Sequence, residues 1–233
     1  MAIFLLLLVP LIIFLIVWGI HQSQQRRQAL LALAQQHNLT FDPDADHSLI
    51  DRFPAFSSLL SQGSNQYADN RIHGQYRDHH LLAFDYHYET HSTDSKGRRT
   101  THHHTFSAVI LRANLPLKPL SIRPENFFDK ITEFFGYDDI DFESAEFSRA
   151  FYVKSPDRRW AFDVLHPRAM QYLLDSPRYT LQFDHQHIIA ATSRTFAPDQ
   201  FLPAADHIIN LLDLMPPYLI QQQQTLPTES NDS

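Results

Sequence analysis

The sequence contains no cysteine and only 5 glycines in 233 residues. Without thiols there is no disulfide framework, no zinc-thiolate site, no cysteine nucleophile and no lipoprotein acylation. So few glycines leave almost no room for a Gly-rich phosphate loop. Basic charge is also scarce. Lys and Arg number 19 against 26 Asp and Glu, a formal charge of -7, and this argues against the basic field of a general nucleic-acid binder. No nucleic-acid partner is expected. Ser107, Ser144 and Ser148 all lack the Gly-x-Ser-x-Gly setting of a nucleophile elbow, so Ser-His-Asp catalysis has no support.

What the chain does have begins at once. Residues 2–20 read Ala-Ile-Phe-Leu-Leu-Leu-Leu-Val-Pro-Leu-Ile-Ile-Phe-Leu-Ile-Val-Trp-Gly-Ile, with no charge. As a helix the run is about 28 Å long, enough for a bilayer core. Hydrocarbon requires every backbone amide to be bonded internally, so Pro10 is read as a tolerated kink. A cleaved signal peptide would want a charged start, a shorter run and a small-residue cleavage site. The exit Trp18-Gly19-Ile20-His21-Gln22 offers no such site, and Trp18 stands where an interfacial aromatic belongs. Arg26 and Arg27 follow the run and no basic residue precedes it, which places the remainder on the cytoplasmic side. The expectation is a single-pass membrane protein with a transmembrane anchor at residues 1–21.

A juxtamembrane helix is expected over residues 22–38, with Ala29, Leu30, Leu33 and Ala34 on one stripe and Asn38 as its C-terminal cap. Asp42-Pro43-Asp44-Ala45-Asp46 reads as a solvated acidic connector; it lacks the central Gly and distal Glu of a calcium loop. A short helical patch broken at Pro54 buries Ile50, Phe53, Phe56, Leu59 and Leu60. Strands then follow over residues 67–80 with a turn near Gly74, and two long β runs over 81–91 and 101–113 form a hairpin whose tip overhangs the body.

After an extended connector at 115–120, Pro124 is read as opening a helix that bears Phe127, Phe128, Phe134 and Phe135 and ends at Gly136; those rings are expected in the core. A β segment over 147–154, helices from Ser155-Pro156 and from Pro167, a second hairpin across residues 184–187 and a last helix over 199–214 complete the pattern. The fold class is α+β: one soluble domain over residues 39–220 with a largely antiparallel sheet and several packed helices, then a disordered tail at 221–233.

Two stretches carry a family likeness. Residues 141–153 (Asp-Phe-Glu-Ser-Ala-Glu-Phe-Ser-Arg-Ala-Phe-Tyr-Val) and 161–170 (Ala-Phe-Asp-Val-Leu-His-Pro-Arg-Ala-Met), with Leu82-Ala83-Phe84-Asp85-Tyr86 and Phe106-Ser107-Ala108-Val109, resemble a bacterial family of small membrane-anchored proteins of unassigned function. The resemblance spans about Arg26 to Tyr218. It implies a membrane-associated α+β domain and brings no catalytic or binding residue with it.

The chemistry must come from the residues themselves, and the conspicuous type is histidine, 15 of them; protonating all would carry the formal charge from -7 to +8. Alternation puts His87, Glu89 and His91 on one strand face, with Tyr86 and Tyr88 on the other. If the hairpin pairs about Ser95-Lys96, His103 falls opposite Glu89, and such a set suits zinc or another divalent ion. A solvent-facing hairpin has no water-excluding pocket, however, so the favoured reading is a polar strand face. Asp138, Asp139, Asp141, Glu143 and Glu146 read as a solvated acidic face rather than an acid-base pair. Lys96, Arg98 and Arg99 at the tip, like Arg158 and Arg159, read first as solubilising charge and second as a contact for anionic lipid headgroups.

No motif assembles nucleophile, base and stabiliser. The sequence therefore assigns no catalytic, cofactor-binding or metal residue and no cofactor. It points to a binding or interaction module whose partners are the bilayer and a protein or anionic headgroups. A metal-dependent hydrolase using the hairpin histidines is the alternative.

Overall fold

The computed structural model describes residues 2–125 and 138–219, and leaves aside the side chains of residues 2–9, 11 and 16. The chain opens with one unbroken helix, α1 (Ala2–Gln36), that carries Pro10 inside it. Asn38 ends it as expected: its φ of 55° reverses the chain, and the Leu39 N–H returns to the Ala34 carbonyl at 2.8 Å. Among the described residues no helix is long and apolar enough to cross a membrane.

Strand β1 (Thr40–Asp42) follows, and here the expected solvated connector is corrected. Asp42 and Asp46 both pair with Arg71, and Asp46 also pairs with Arg52, so the acidic stretch is clamped to the sheet. Helix α2 (Leu49–Arg52), a 3-10 turn at Pro54–Phe56 and α3 (Ser57–Leu60) realise the broken helical patch. Phe56, Leu59 and Leu60 are fully buried there.

The long strands β2 (Ser64–Tyr76), β3 (His79–Thr93) and β4 (Arg99–Arg112) form the centre. The turn between β2 and β3 is at Arg77-Asp78, with Arg77 at φ 41°, and not at Gly74. Gly74 stays inside β2 at φ 147°, because a Cβ there would stand 3.0 Å from the Leu39 side chain that packs over it.

Strand β5 (Leu120–Pro124) places Pro124 at a strand end, opposite Phe151. The helix assigned to Phe127, Phe128, Phe134 and Phe135 lies outside the described residues, as does the tail at 221–233. The β segment over 147–154 is also revised. Ser144 accepts the Phe147 N–H and starts α4 (Ala145–Ala150), which leaves β6 (Phe151–Lys154) as the strand. Asp157 caps α5 (Arg158–Val164) in the same way. Helix α6 (Pro167–Asp175), the hairpin β7 (Thr180–Phe183) and β8 (His187–Ala191), and α7 (Phe201–Asp213) fall where the pattern put them.

The fold is α+β; among the described residues the sheet has eight strands in the order β1-β2-β3-β4-β8-β7-β5-β6, and every pairing is antiparallel. Alternation divides the apolar side chains between two faces. On one face Ala83, Val109, Leu111 and Ala190 meet Leu30 and Ala34 of α1 together with α7. On the other, Phe84, Tyr86, Phe106 and Ile189 meet Phe56, Leu59 and Leu60. The second half of α1 is thus part of the domain's core.

Candidate functional site at the root of the N-terminal helix

On the face covered by α1, strand β3 alternates Leu81, Ala83, Asp85, and the last of these sets a carboxylate where its neighbours are apolar. Asp85 is only 2% exposed. A buried charge is tolerated only when paired and hydrogen-bonded, and this one has four bonds from three residues. Arg26 of α1 donates Nε to Oδ2 at 2.8 Å and Nη2 to Oδ1 at 2.7 Å, a bidentate fork, while Asn70 Nδ2 donates to Oδ2 at 3.0 Å and Ser107 Oγ to Oδ1 at 2.5 Å. The third guanidinium arm reaches the Phe196 carbonyl at 2.7 Å, and the Phe196 N–H donates to Ser107 Oγ at 2.8 Å. Helix, sheet and the segment before α7 are closed into one network.

Beside this network lies an open cleft of about 590 Å³ whose wall includes Gln22 and Arg26 from the helix and Asp69, Asn70, Asp85 and Thr105 from the sheet. Asn70 has φ 49° in an irregularity of β2 between Asp69 and Ile72, which turns its side chain into the network. Its amide group serves Asp85, and its Oδ1 has no partner among the described residues. Burial and the nearby Asp85 charge push the Asp69 carboxyl up to about 6, against the opposing pull of Arg27 and Arg26.

Further out on the same face the hairpin histidines come together. Glu89 lies directly opposite His103, the register anticipated from the loop centre, and His87 lies opposite Thr105. Glu89 Oε1 is 3.4 Å from His103 Nδ1 and 3.7 Å from His87 Nε2. Ligand atoms of the three lie within 4.8 Å of one another. His91 does not join them: its ring is bonded to Thr101 Oγ1 and Ser64 Oγ, both at 3.1 Å. His102 bonds Ser92, and His104 stacks on Tyr88 and bonds Thr90. Tyr86 and Tyr88 are buried on the opposite face, as alternation required.

The remaining sequence candidates disperse. Asp138, Asp139, Asp141, Glu143 and Glu146 are exposed. Ser107 is a strut of the Asp85 network, Ser144 a helix cap, and Ser148 binds the Phe142 backbone. Lys96, Arg98 and Arg99 are exposed at the hairpin tip, and Arg158 and Arg159 are exposed at the start of α5. The residue that sequence reasoning passed over is Asp85. Its signal was available: a lone carboxylate on the apolar side of an alternating strand needs a cation, and Arg26 is that cation.

No family model matches the chain, and no curated protein matches it. Among solved structures it is similar to the crystal structure of the mycobacterial trehalose monomycolate transport factor A, TtfA. Identity is 13% and the TM-score 0.59, over 83% of this chain and 96% of that one. What the two share is the fold. The sheet-and-helix arrangement described above is therefore one that a second protein of very different sequence also adopts.

Proposed function

We propose that this chain is a membrane-tethered binding module: the uncharged run at residues 2–20 spans a bilayer and the domain beyond it engages a partner at the membrane surface. The observation that supports this reading is that the apolar run and the docked stretch belong to one continuous helix. Its outer part exposes Ile12, Ile13, Phe14, Leu15, Val17 and Trp18, while its inner part buries Leu30 and Ala34 and is locked by Arg26 to Asp85. Exposed apolar surface on that scale wants a cover, and a bilayer supplies it. Arg27, on the domain side of the run, favours the cytoplasmic face. The likeness to bacterial membrane-anchored proteins agrees with this reading.

The geometry also favours anionic headgroups as one contact. Helix and strand keep step: Leu39, just past the helix end, packs on Gly74, which pairs with Leu81; Arg26 meets Asp85; and Gln22 shares the cleft with Thr105, opposite His87. From Arg26 back to Ile20 the helix rises about 9 Å. From Asp85 to Thr93 the strand runs on for about 26 Å. The hairpin therefore outreaches the polar part of the helix, and Lys96, Arg98 and Arg99 cannot follow the anchor into hydrocarbon. They lie along the headgroup layer, each worth about 1 kcal/mol near an anionic surface.

Because the chain has no cysteine, Ser95→Cys provides a unique thiol for a fluorophore at this tip. In vesicles holding the full chain, headgroup spin labels should quench that dye strongly when the lipid is anionic. The quenching should fall at 0.5 M salt and be lost in K96E/R98E/R99E. Equal quenching in neutral and anionic vesicles, untouched by the charge reversal, would remove the headgroup contact.

A further inference from the structure

We infer that His87, Glu89 and His103 form a binding site for a divalent metal ion of the zinc class, open to solvent on one side. This goes beyond the tether and does not depend on it. Two imidazoles and one carboxylate are a ligand set that zinc accepts, with bonds of about 2.0–2.2 Å. In a tetrahedron of such bonds the ligand atoms stand about 3.3 Å apart. The 3.4 Å and 3.7 Å separations about Glu89 Oε1 are already close to that spacing. Closing the remaining gap requires shifts of a few tenths of an ångström, and His103, whose side chain is 65% exposed, has the most room to turn.

The other two ligands are held in place. A bulge in β2 between Ser64 and Tyr67 puts Asn65 at φ 50°, from which its amide donates to Glu89 Oε1 at 2.8 Å. The Tyr67 ring stacks on His87 with centroids 4.7 Å apart. Gly63 lies against the Glu89 carbonyl so closely that a Cβ would stand 2.0 Å from it. Bulges commonly re-aim side chains beside functional sites, and this one fixes the carboxylate oxygen that faces the two histidines. A carboxylate with one bond from an amide retains lone pairs for a metal. Glu89 and His87 are 18% and 13% exposed in their side chains, shielded enough to be ordered and open enough for an ion to enter. Three protein ligands leave a fourth position, towards solvent, for water or a small ligand.

The test uses the full chain, prepared without a histidine tag, stripped of metal and held in detergent micelles. Zn²⁺ alone is titrated against a competing chromophoric chelator at pH 7.5. One equivalent should bind per chain. Glu89→Gln and His103→Ala should each weaken binding ten-fold or more, while His91→Ala, outside the cluster, should change it less than two-fold. His103 is exposed, so its loss should leave the far-ultraviolet circular dichroism unchanged. Absence of saturable binding, or binding that survives both cluster variants or weakens equally with His91→Ala, would overturn the site. Micelles hold the helix whether or not it spans a bilayer, so this result stands apart from the tether.

Discussion

Arg26→Met is expected to lower the stability of the domain by about 3–5 kcal/mol, the cost of leaving a buried charge without its partner. Asp85 would keep the Asn70 amide and the Ser107 hydroxyl but lose both arms of the guanidinium fork and the positive charge that balances it. The same change frees the Phe196 carbonyl and unpins α1 from the sheet. Urea unfolding of the full chain in micelles, read from Trp160 in a Trp18→Phe background, measures it. Asp85→Leu in the Arg26→Met background should recover most of the loss, since two apolar side chains replace a broken pair. A coupling below about 1 kcal/mol between the two positions would show that the fork does not hold the helix.

The second large effect is a pH dependence in which two groups act in opposite directions. His207 of α7 is buried between Tyr172 and Tyr179, its Nδ1 3.1 Å from the Tyr172 hydroxyl and its Nε2 without a partner among the described residues. Burial lowers its pKa from 6.5 to about 4. The unfolded chain then binds the proton more readily, so the stability present above pH 6.5 is lost as pH falls towards 4, by about 3 kcal/mol. Asp69 runs the other way. With its carboxyl raised from 3.8 to about 6, folding favours the protonated form, and the stability present below 3.8 is lost as pH rises through 6. Its partial exposure reduces that contribution to about 1–2 kcal/mol.

Between pH 6.5 and 4 the full chain should therefore lose only about 1–2 kcal/mol, the difference of the two. His207→Phe, which keeps the stacked ring, should abolish the loss on acidification. Asp69→Asn should stabilise the protein by about 1–2 kcal/mol at pH 7 and leave a steeper loss below 6.5. Asp157 does not disturb this window. The Lys118 hydrogen bond holds its carboxyl below the usual range, so its contribution disappears only under about pH 4. Urea midpoints from pH 4 to 8 separate the terms, and parallel curves for all three proteins would contradict both assignments.

Local chemistry made much of this molecule legible. The β3–β4 pairing followed from one loop, and with it the meeting of Glu89 and His103, because register in a hairpin is set by its turn. Asn38, Pro167 and the hairpin at 184–187 were readable for the same reason: each is decided by its near neighbours. Gly74 was misread because its requirement is tertiary, the approach of Leu39, and a glycine needed for contact looks in sequence like one needed for a turn. Pro124 was ambiguous in sequence, because a strand end accepts proline as well as a helix start does, and the structure shows it at a strand end. The acidic connector appeared solvated only because Arg71, its partner, is far away in sequence. The same distance hid the Arg26–Asp85 pair, whose partners are 59 positions apart, although each was visible alone.

The tether is the central claim, and the headgroup contact rests on it; alkaline extraction tests it most directly. Membranes from cells expressing the full chain are washed with carbonate at high pH, and the pellet is compared with that of a variant carrying Leu7→Arg and Ile13→Arg. The native chain should stay in the pellet at full length, and the variant should move to the supernatant with the Asp85 network and the fold intact. A native chain released by carbonate, or recovered from the aqueous fraction without its first twenty or so residues, would contradict the account.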